Sequence, residues 1–512
     1  MRHARTLAFA AAALGLLASP LAAQRSADTL RLPFEGAIST VDWHLDIRPE
    51  VEMIADAVFD GLIAYNEREE RYEPLLAASW ERVDPLTLRF KLRDDVKWHD
   101  GVPFSADDVV YTIGWLIDPE TRHRQKGNWG WIAEVRKIDD LTVEIVAKSE
   151  TPHDLMRLAY GTQILPAHAR GPLADKMDFR NNIVGTGMYR VVSLDSNDGI
   201  VLERNADYTH GGEAKPASNI GRVHVVAMPD AGARTAALLA GEIDLLRNAA
   251  FEEARALAAD PRLDMTVLQS ISYTYVALNA RENTPNEALR DPRVRRAIMM
   301  AIDRDALQRA RTGGEREPRS PSAMCWDFQA GCAQSVDLPP PDPEAARALL
   351  AEAGYADGFD TVIHTFVSTR DYGTIVSGFL GRVGIRARVE AVTFPAYFQA
   401  QQEGRFEVLV AAWNAGMGPD SGATMGLFFA GDQRDLYHDA EVIELAQRST
   451  TMMDEEARRE VVKAALDRTI ERSYIMPLSG IPIPTVHSAD LVITTGRNTP
   501  HAFHLGDLNW RD

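Results

Sequence analysis

The groups in this chain that could do chemistry are 13 histidines, two cysteines and 74 Asp and Glu carboxylates. Their spacing builds none of the familiar reaction centres. There is no H-E-x-x-H zinc helix, no G-x-x-x-x-G-K-[ST] phosphate loop, no G-x-S-x-G nucleophile turn and no G-x-G-x-x-G dinucleotide turn. The nearest histidine pair, His501 and His504, has no acid or third donor beside it and reads as structural. Asp107 and Asp108 follow Ser105 at the start of a helical pattern, where carboxylates serve the cap and the dipole better than acid–base work. Asp303-Arg304-Asp305 reads as a charged helix face or a local ion pair. Cys325 and Cys332 lack the C-x-x-C spacing of a redox pair; in an oxidising compartment they would close a small disulfide loop, the other reading being two free thiols. A catalytic reading therefore has little support, and no catalytic residue, cofactor or metal is expected.

The elements that must position any site are α/β in character. Apolar alternation at Leu86, Leu88, Phe90 and Leu92 predicts a half-buried strand. Similar runs occupy Leu141–Ala147, Tyr189–Leu194, Ile200–Arg204 and Arg222–Met228, with a longer β-rich run over 266–278. Helical spacing marks 50–65, with Gly61 as its stop, 231–240 before Gly241, and one long amphipathic helix over 292–312. Strands and helices then alternate from 360 to 413, helices fill about 440–472, and strands return near 475–495. The composition is globular, with 45% hydrophobic and 25% charged residues, and 512 residues suggest about three domains. A net charge of −19 disfavours nonspecific nucleic-acid binding, which needs cations against phosphate. Residues 1–23 combine Arg2 and Arg5, the apolar run Leu7–Leu17 and a small-residue end at Ala22-Ala23, the layout of a cleavable signal peptide. With no cysteine at the cleavage point, lipid anchoring is not expected, and the mature chain reads as periplasmic.

Five stretches in order carry a resemblance. They are PLLAASW at 74–80 with LRFKLRDDVKWHDGVPFSADDVVY at 88–111; VGTGMYR at 184–190 with ERNADY at 203–208; AGEID at 240–244; LRDPRVRRAI at 289–298 with AIDR at 301–304; and AARALLAEAGY at 345–355 with VGI at 383–385 and Trp413. Together they resemble the extracytoplasmic solute-binding proteins, family 5, that serve peptide, nickel and glutathione ABC transporters. The resemblance covers essentially residues 28–490. It implies an α/β, two-lobed periplasmic binding fold of the large type II class, with a hinge and an extra subdomain. On this template the signal peptide is 1–23, and lobe I is assembled from 24–49, 179–271 and the return 475–512. The extra subdomain covers 50–178 and the inserted lobe II covers 272–474, with crossings at Ser272–Leu278 and Tyr474–Pro477. Gly101, Gly185, Gly187 and Gly241 are read as turns or helix ends.

The implied function is capture of a peptide or peptide-like solute in the interlobe cleft by a monomeric receptor, for delivery to ABC permease subunits at the inner membrane. A metal chelate, opine or oligosaccharide on the same fold is the alternative. Peptide-binding members often hold the ligand's α-amino group with an Asp in the loop after the Trp equivalent to Trp413. Here that loop reads Trp413-Asn414-Ala-Gly416-Met-Gly-Pro-Asp420, so Gly416 stands where the Asp would be, and Asp420 could substitute only if the loop bends differently. The other lining candidates are aromatic or cationic. Trp43 and His44 follow the first strand. Trp129 and Trp131 fit either the cleft or a loop anchor, and Tyr273 and Tyr275 either the cleft or the packing of a hinge strand. Arg370 could pair a ligand carboxylate or stand as a solvated surface residue.

Overall fold

The computed structural model describes residues 28–124, 126–195, 198–314, 320–413, 420–432, 434–494 and 503–511. The proposed leader, Asn414, Gly416 and His501 lie outside them.

Alternation sets the first sheet. Leu30, Leu32 and Phe34 are the buried residues of strand Thr29–Phe34, which pairs in parallel with Arg222–Ala227. The sheet continues antiparallel through Gly199–Arg204 to Tyr189–Asp195. A second four-stranded sheet runs in the order Ala77–Asp84, Thr87–Leu92, Thr142–Ala147, Ile132–Asp139. Its Leu88, Phe90, Val143 and Ile145 belong to the same core as Val109, Ile113 and Leu116 of helix Ala106–Ile117. That helix is tied at its start by Asp108, whose carboxylate accepts from Ser105 N at 3.0 Å, Trp98 Nε1 at 3.1 Å and Ala167 N at 2.8 Å. One continuous apolar core joins both sheets.

The third sheet links the two halves of the molecule. Its order is Leu245–Arg247, Ile475–Ser488, Leu263–Leu278, Val408–Trp413, Asp360–Phe366, Arg386–Val392. Two strands, of 16 and 14 residues, run its length. At one end Leu245 faces His487; at the other, Tyr273 faces Trp413. Their mutual register shifts between Gln269 and Tyr273, opposite Pro482 and Gly480, which is where a bulge can bend a ribbon. Beyond that bend the central strands, 273–278 and 408–413, are covered on both faces and are largely apolar, whereas the edge strand Arg386–Val392 carries Arg386, Arg388 and Glu390. Val276, Leu278, Val408 and Val410 pack toward helices Pro292–Ala301 and Arg370–Gly381; Tyr275, Ala277, Leu409 and Ala411 pack toward Ala440–Ser449 and Glu455–Glu471. Strands 360–366, 386–392 and 408–413 are parallel, so Phe366, Val392 and Trp413 end at one edge.

Three sequence readings need correction. The helix expected over 292–312 is two, Pro292–Ala301 and Arg304–Thr312, because the Asp303 carboxylate takes the Ala306 N–H at 2.8 Å and starts a new helix. Asp303 is therefore a cap. The first helix, Pro49–Val58, stops before Gly61. Gly185 and Gly187 are neither turns nor helix ends: a Cβ on them would lie 1.9 Å from Val58 O and 2.4 Å from Ala57 O, so glycine is what lets this chain pass under the helix end. Gly241 is as expected, with φ +71° closing helix Ala231–Ala240.

Candidate functional site

Where residues 128–157, beside the second sheet, meet the parallel-strand edge, the structure forms an open cleft of about 680 Å³. The open end of parallel strands is the usual ligand edge of α/β sheets. One wall comes from residues 128–157 and the other from Trp413, Asp420, Gly422 and residues up to Thr451.

Helix Asp154–Gly161 builds the first wall. It is anchored by buried Asp154, which takes Nη2 of Arg82 at 2.9 Å on both oxygens. His153 and Arg157, four apart, share the face that looks into the cavity. Arg157 Nη1 donates to Asn128 O at 2.9 Å, and among the described residues no carboxylate forms an ion pair with it. Burial pulls its proton affinity down, opposed by the charge of Asp420. His153 is pushed down to about 4 by burial and by the Arg157 charge, so it is neutral at pH 7. Its Nδ1 and the Trp131 Nε1 are buried without a hydrogen-bond partner among the described residues.

The second wall belongs to a separate apolar core. Trp413 ends its strand, donates from Nε1 to Thr424 Oγ1 at 3.1 Å and meets Phe428 edge-on at 5.3 Å. Asp420 is buried in an ion pair with Arg458 of helix Glu455–Glu471 and accepts from Gly422 N at 2.6 Å. Its charge is thus neutralised within its own lobe, and it does not stand as a free carboxylate for an incoming ammonium. Gly422 closes the gap between walls: a Cβ there would lie 3.5 Å from His153 Nδ1 and 3.0 Å from Arg458 Nη2.

Of the residues singled out in sequence, Trp413, Asp420 and Trp131 come together at this cavity. Trp43, His44 and Trp129 form a buried cluster inside the first core, with the His44 ring 6.2 Å from Trp43 and 6.3 Å from Trp129. His44 is fully buried and is pushed down to about 4 by that burial, its Nε2 3.3 Å from Gln163 O. Tyr273 and Tyr275 lie in the second apolar core: Tyr273 donates to Met324 O at 2.8 Å and Tyr275 meets Phe428 edge-on at 5.1 Å, and burial raises both phenols. Arg370 is exposed at the first position of helix Arg370–Gly381, away from the cavity lining. Cys325 and Cys332 are paired, with Cα atoms 5.9 Å apart. Sequence reasoning missed His153, Arg157, Gly422 and Arg458. The spacing of His153 and Arg157 was visible as one helix face, but nothing local said that this face meets another lobe.

The profile of the bacterial extracellular solute-binding proteins, family 5 (middle region), matches residues 71–435. The chain belongs to this family. A relative within reach by sequence is the glutathione-binding protein GsiB of Pectobacterium atrosepticum, 27% identical over 388 residues, spanning 74% of this chain and 73% of the relative. The family fold also appears in solved structures. The ABC transporter substrate-binding protein CtaP of Listeria monocytogenes superposes with TM-score 0.82 at 19% identity, over 94% of this chain and 99% of that one. NikA of Brucella suis, solved with Fe(III)-EDTA, superposes with TM-score 0.80 at 21% identity, over 94% and 100%. The family fold is two-lobed, and the long strands 263–278 and 475–488 run from one apolar core, at Leu268 and Ile483, into another, at Tyr273 and Ile475. Among the described residues no helix is long and apolar enough to cross a membrane.

Proposed function

We propose that this protein captures a peptide-like solute through a ligand carboxylate and hands it to the permease subunits of an ABC importer. The observation that carries this reading is the charge arrangement of the cleft. Arg157 faces the cavity and, among the described residues, has no carboxylate ion-pair partner, while Asp420 is already paired with Arg458. A partly buried guanidinium is stabilised by an anion that pairs with it in two parallel hydrogen bonds, and a ligand carboxylate has that geometry. The Trp131 Nε1–H, which has no hydrogen-bond partner among the described residues, adds a donor to this lining. Glutathione, a tripeptide bearing two carboxylates, is the first probe, since relatives are named for binding it.

The rest of the reading follows the family template. Lobe I is 24–49, 179–271 and 475–512, with a subdomain at 50–178 and lobe II at 272–474. The chain is exported by a leader at 1–23, carries no lipid and works as a periplasmic monomer. Titration calorimetry with glutathione, its carboxyl esters and plain di- and tripeptides tests the ligand class. The free acid is expected to bind and the esters to fail, with Arg157→Gln weakening binding by roughly 30-fold or more. Equal binding of acid and ester, or no binding by any peptide-like compound, would sink the proposal.

A further inference from the structure

The loop closed by Cys325 and Cys332 touches the hinge strand on one side and the cleft wall on the other. Among the described residues between Thr312 and Pro343 there is no helix or strand, so no backbone ladder fixes this segment. Its shape comes from a self-bonded turn: Trp326 N donates to Gln329 Oε1 at 2.7 Å, Gln329 N to Trp326 O at 2.9 Å and Cys332 N to Gln329 O at 2.9 Å. On the hinge side, Trp326 Nε1 donates to Ile271 O at 2.7 Å and Tyr273 donates to Met324 O at 2.8 Å, the two rings meeting edge-on at 6.1 Å. Ile271 and Tyr273 lie at the register shift of the long strand. On the cleft side, Ala330 forms an isolated parallel bridge to Asp420, and Ser421 N donates to Ala330 O at 3.0 Å. Gly331, at φ +75°, is pressed against the same wall: a Cβ would sit 2.9 Å from Ser421 Oγ and 3.6 Å from the Arg458 guanidinium carbon.

We infer that the Cys325–Cys332 disulfide positions the second wall of the cleft, holding the Ala330–Gly331 backbone so that Asp420, Gly422 and Arg458 are preset for the ligand. The two cysteines are seven positions apart. Cross-linking so short a loop constrains the unfolded chain less than a long one would. What it orders in the folded chain is the turn whose carbonyl holds Ser421. Preordering a wall before the ligand arrives removes a cost that binding would otherwise carry. The inference rests on the cleft being the ligand site, but its first test needs no ligand.

That test is amide hydrogen exchange on the full chain, comparing the oxidised protein with Cys325→Ser/Cys332→Ser and with Gly331→Ala, which keeps the disulfide but crowds Ser421. The Ser421 amide is expected to exchange about tenfold faster or more in both variants, while the amides of Val408–Trp413 keep their protection. Unchanged Ser421 exchange overturns the inference. So does an equal loss of protection across 408–413 and Ala440–Ser449, which would mean the disulfide merely supports the lobe. Glutathione titration of the same proteins adds an independent arm, expected to show weaker binding in both variants. If the wild-type protein binds no glutathione, the ligand reading falls and exchange alone decides the role of the disulfide.

Discussion

His44 shows at the residue scale how burial settles what a polar side chain does. Its position after the first strand offered it to a ligand, but the fold closes Trp43, Trp115 and Trp129 around it. The groups that bear on its charge are Asp42, which favours the proton, and Arg170 and His123, which oppose it; burial outweighs them all. With the folded value near 4 and an ordinary value of 6.5, the unfolded chain binds a proton that the folded chain refuses between those limits. Stability therefore falls as pH drops from about 6.5 to about 4, by up to roughly 3 kcal/mol from this one group. Urea melts at pH 7, 5.5 and 4.5 should show that limb, and His44→Gln should make it shallower by up to one proton. An identical slope in the variant would show that His44 does not refuse the proton. The cleft residues teach the complementary lesson: Asp420 was legible as an acid near Trp413, but only the position of Arg458, 38 residues away, shows that its charge is already matched.

At the scale of elements, glycine has opposite meanings in two places. Gly187 lies under the end of helix Pro49–Val58, where a Cβ would stand 2.4 Å from Ala57 O and 2.6 Å from the Val58 carbonyl carbon, both backbone atoms that cannot swing aside. Gly187→Ala should cost about 1–3 kcal/mol through overpacking. Gly114 sits inside helix Ala106–Ile117 with nothing within 4 Å of its would-be Cβ. There the main effect of alanine is to remove the conformational freedom that glycine must lose, so Gly114→Ala should gain about 0.5–1 kcal/mol. Chemical denaturation of the two variants checks the pair, and the same sign for both would refute the distinction. Helix ends were readable where the residue type itself marks them, as at Ser105 with Asp108, a capping box, and at Gly241, a left-handed stop. They were less so at Asp303, where a cap sits inside a continuous amphipathic pattern and the periodicity runs on across the break.

Over the whole molecule, the proposed capture depends on two walls meeting. Gly422 is the point where they approach, with His153 from one lobe against a backbone that has no side chain in the way. Gly422→Val would press first on its own wall, its Cβ 2.9 Å from Asp420 Oδ1 and 3.0 Å from Arg458 Nη2, and then on His153 at 3.5 Å, so it should loosen the Asp420–Arg458 pair and obstruct the approach together, and ligand should dissociate faster. Small-angle scattering with and without saturating glutathione is the direct readout: compaction in the wild type and little or none in the variant. Equal compaction in both would show that the approach at Gly422 does not limit closure.

The sequence by itself determined the α/β class, most strand positions and the family, because alternation, turn residues and family motifs are local and survive without knowledge of neighbours. It also marked Trp413 and the cysteine pair. Only the tertiary structure decided which polar groups remain available. Trp43, His44 and Trp129 share the chemistry of cleft residues, yet they are walled into a core, while Arg157 on an unremarked helix faces the cavity. The reason is physical: a residue's type is written at its own position, but its burial and its charge partner are set by chain segments tens to hundreds of residues away.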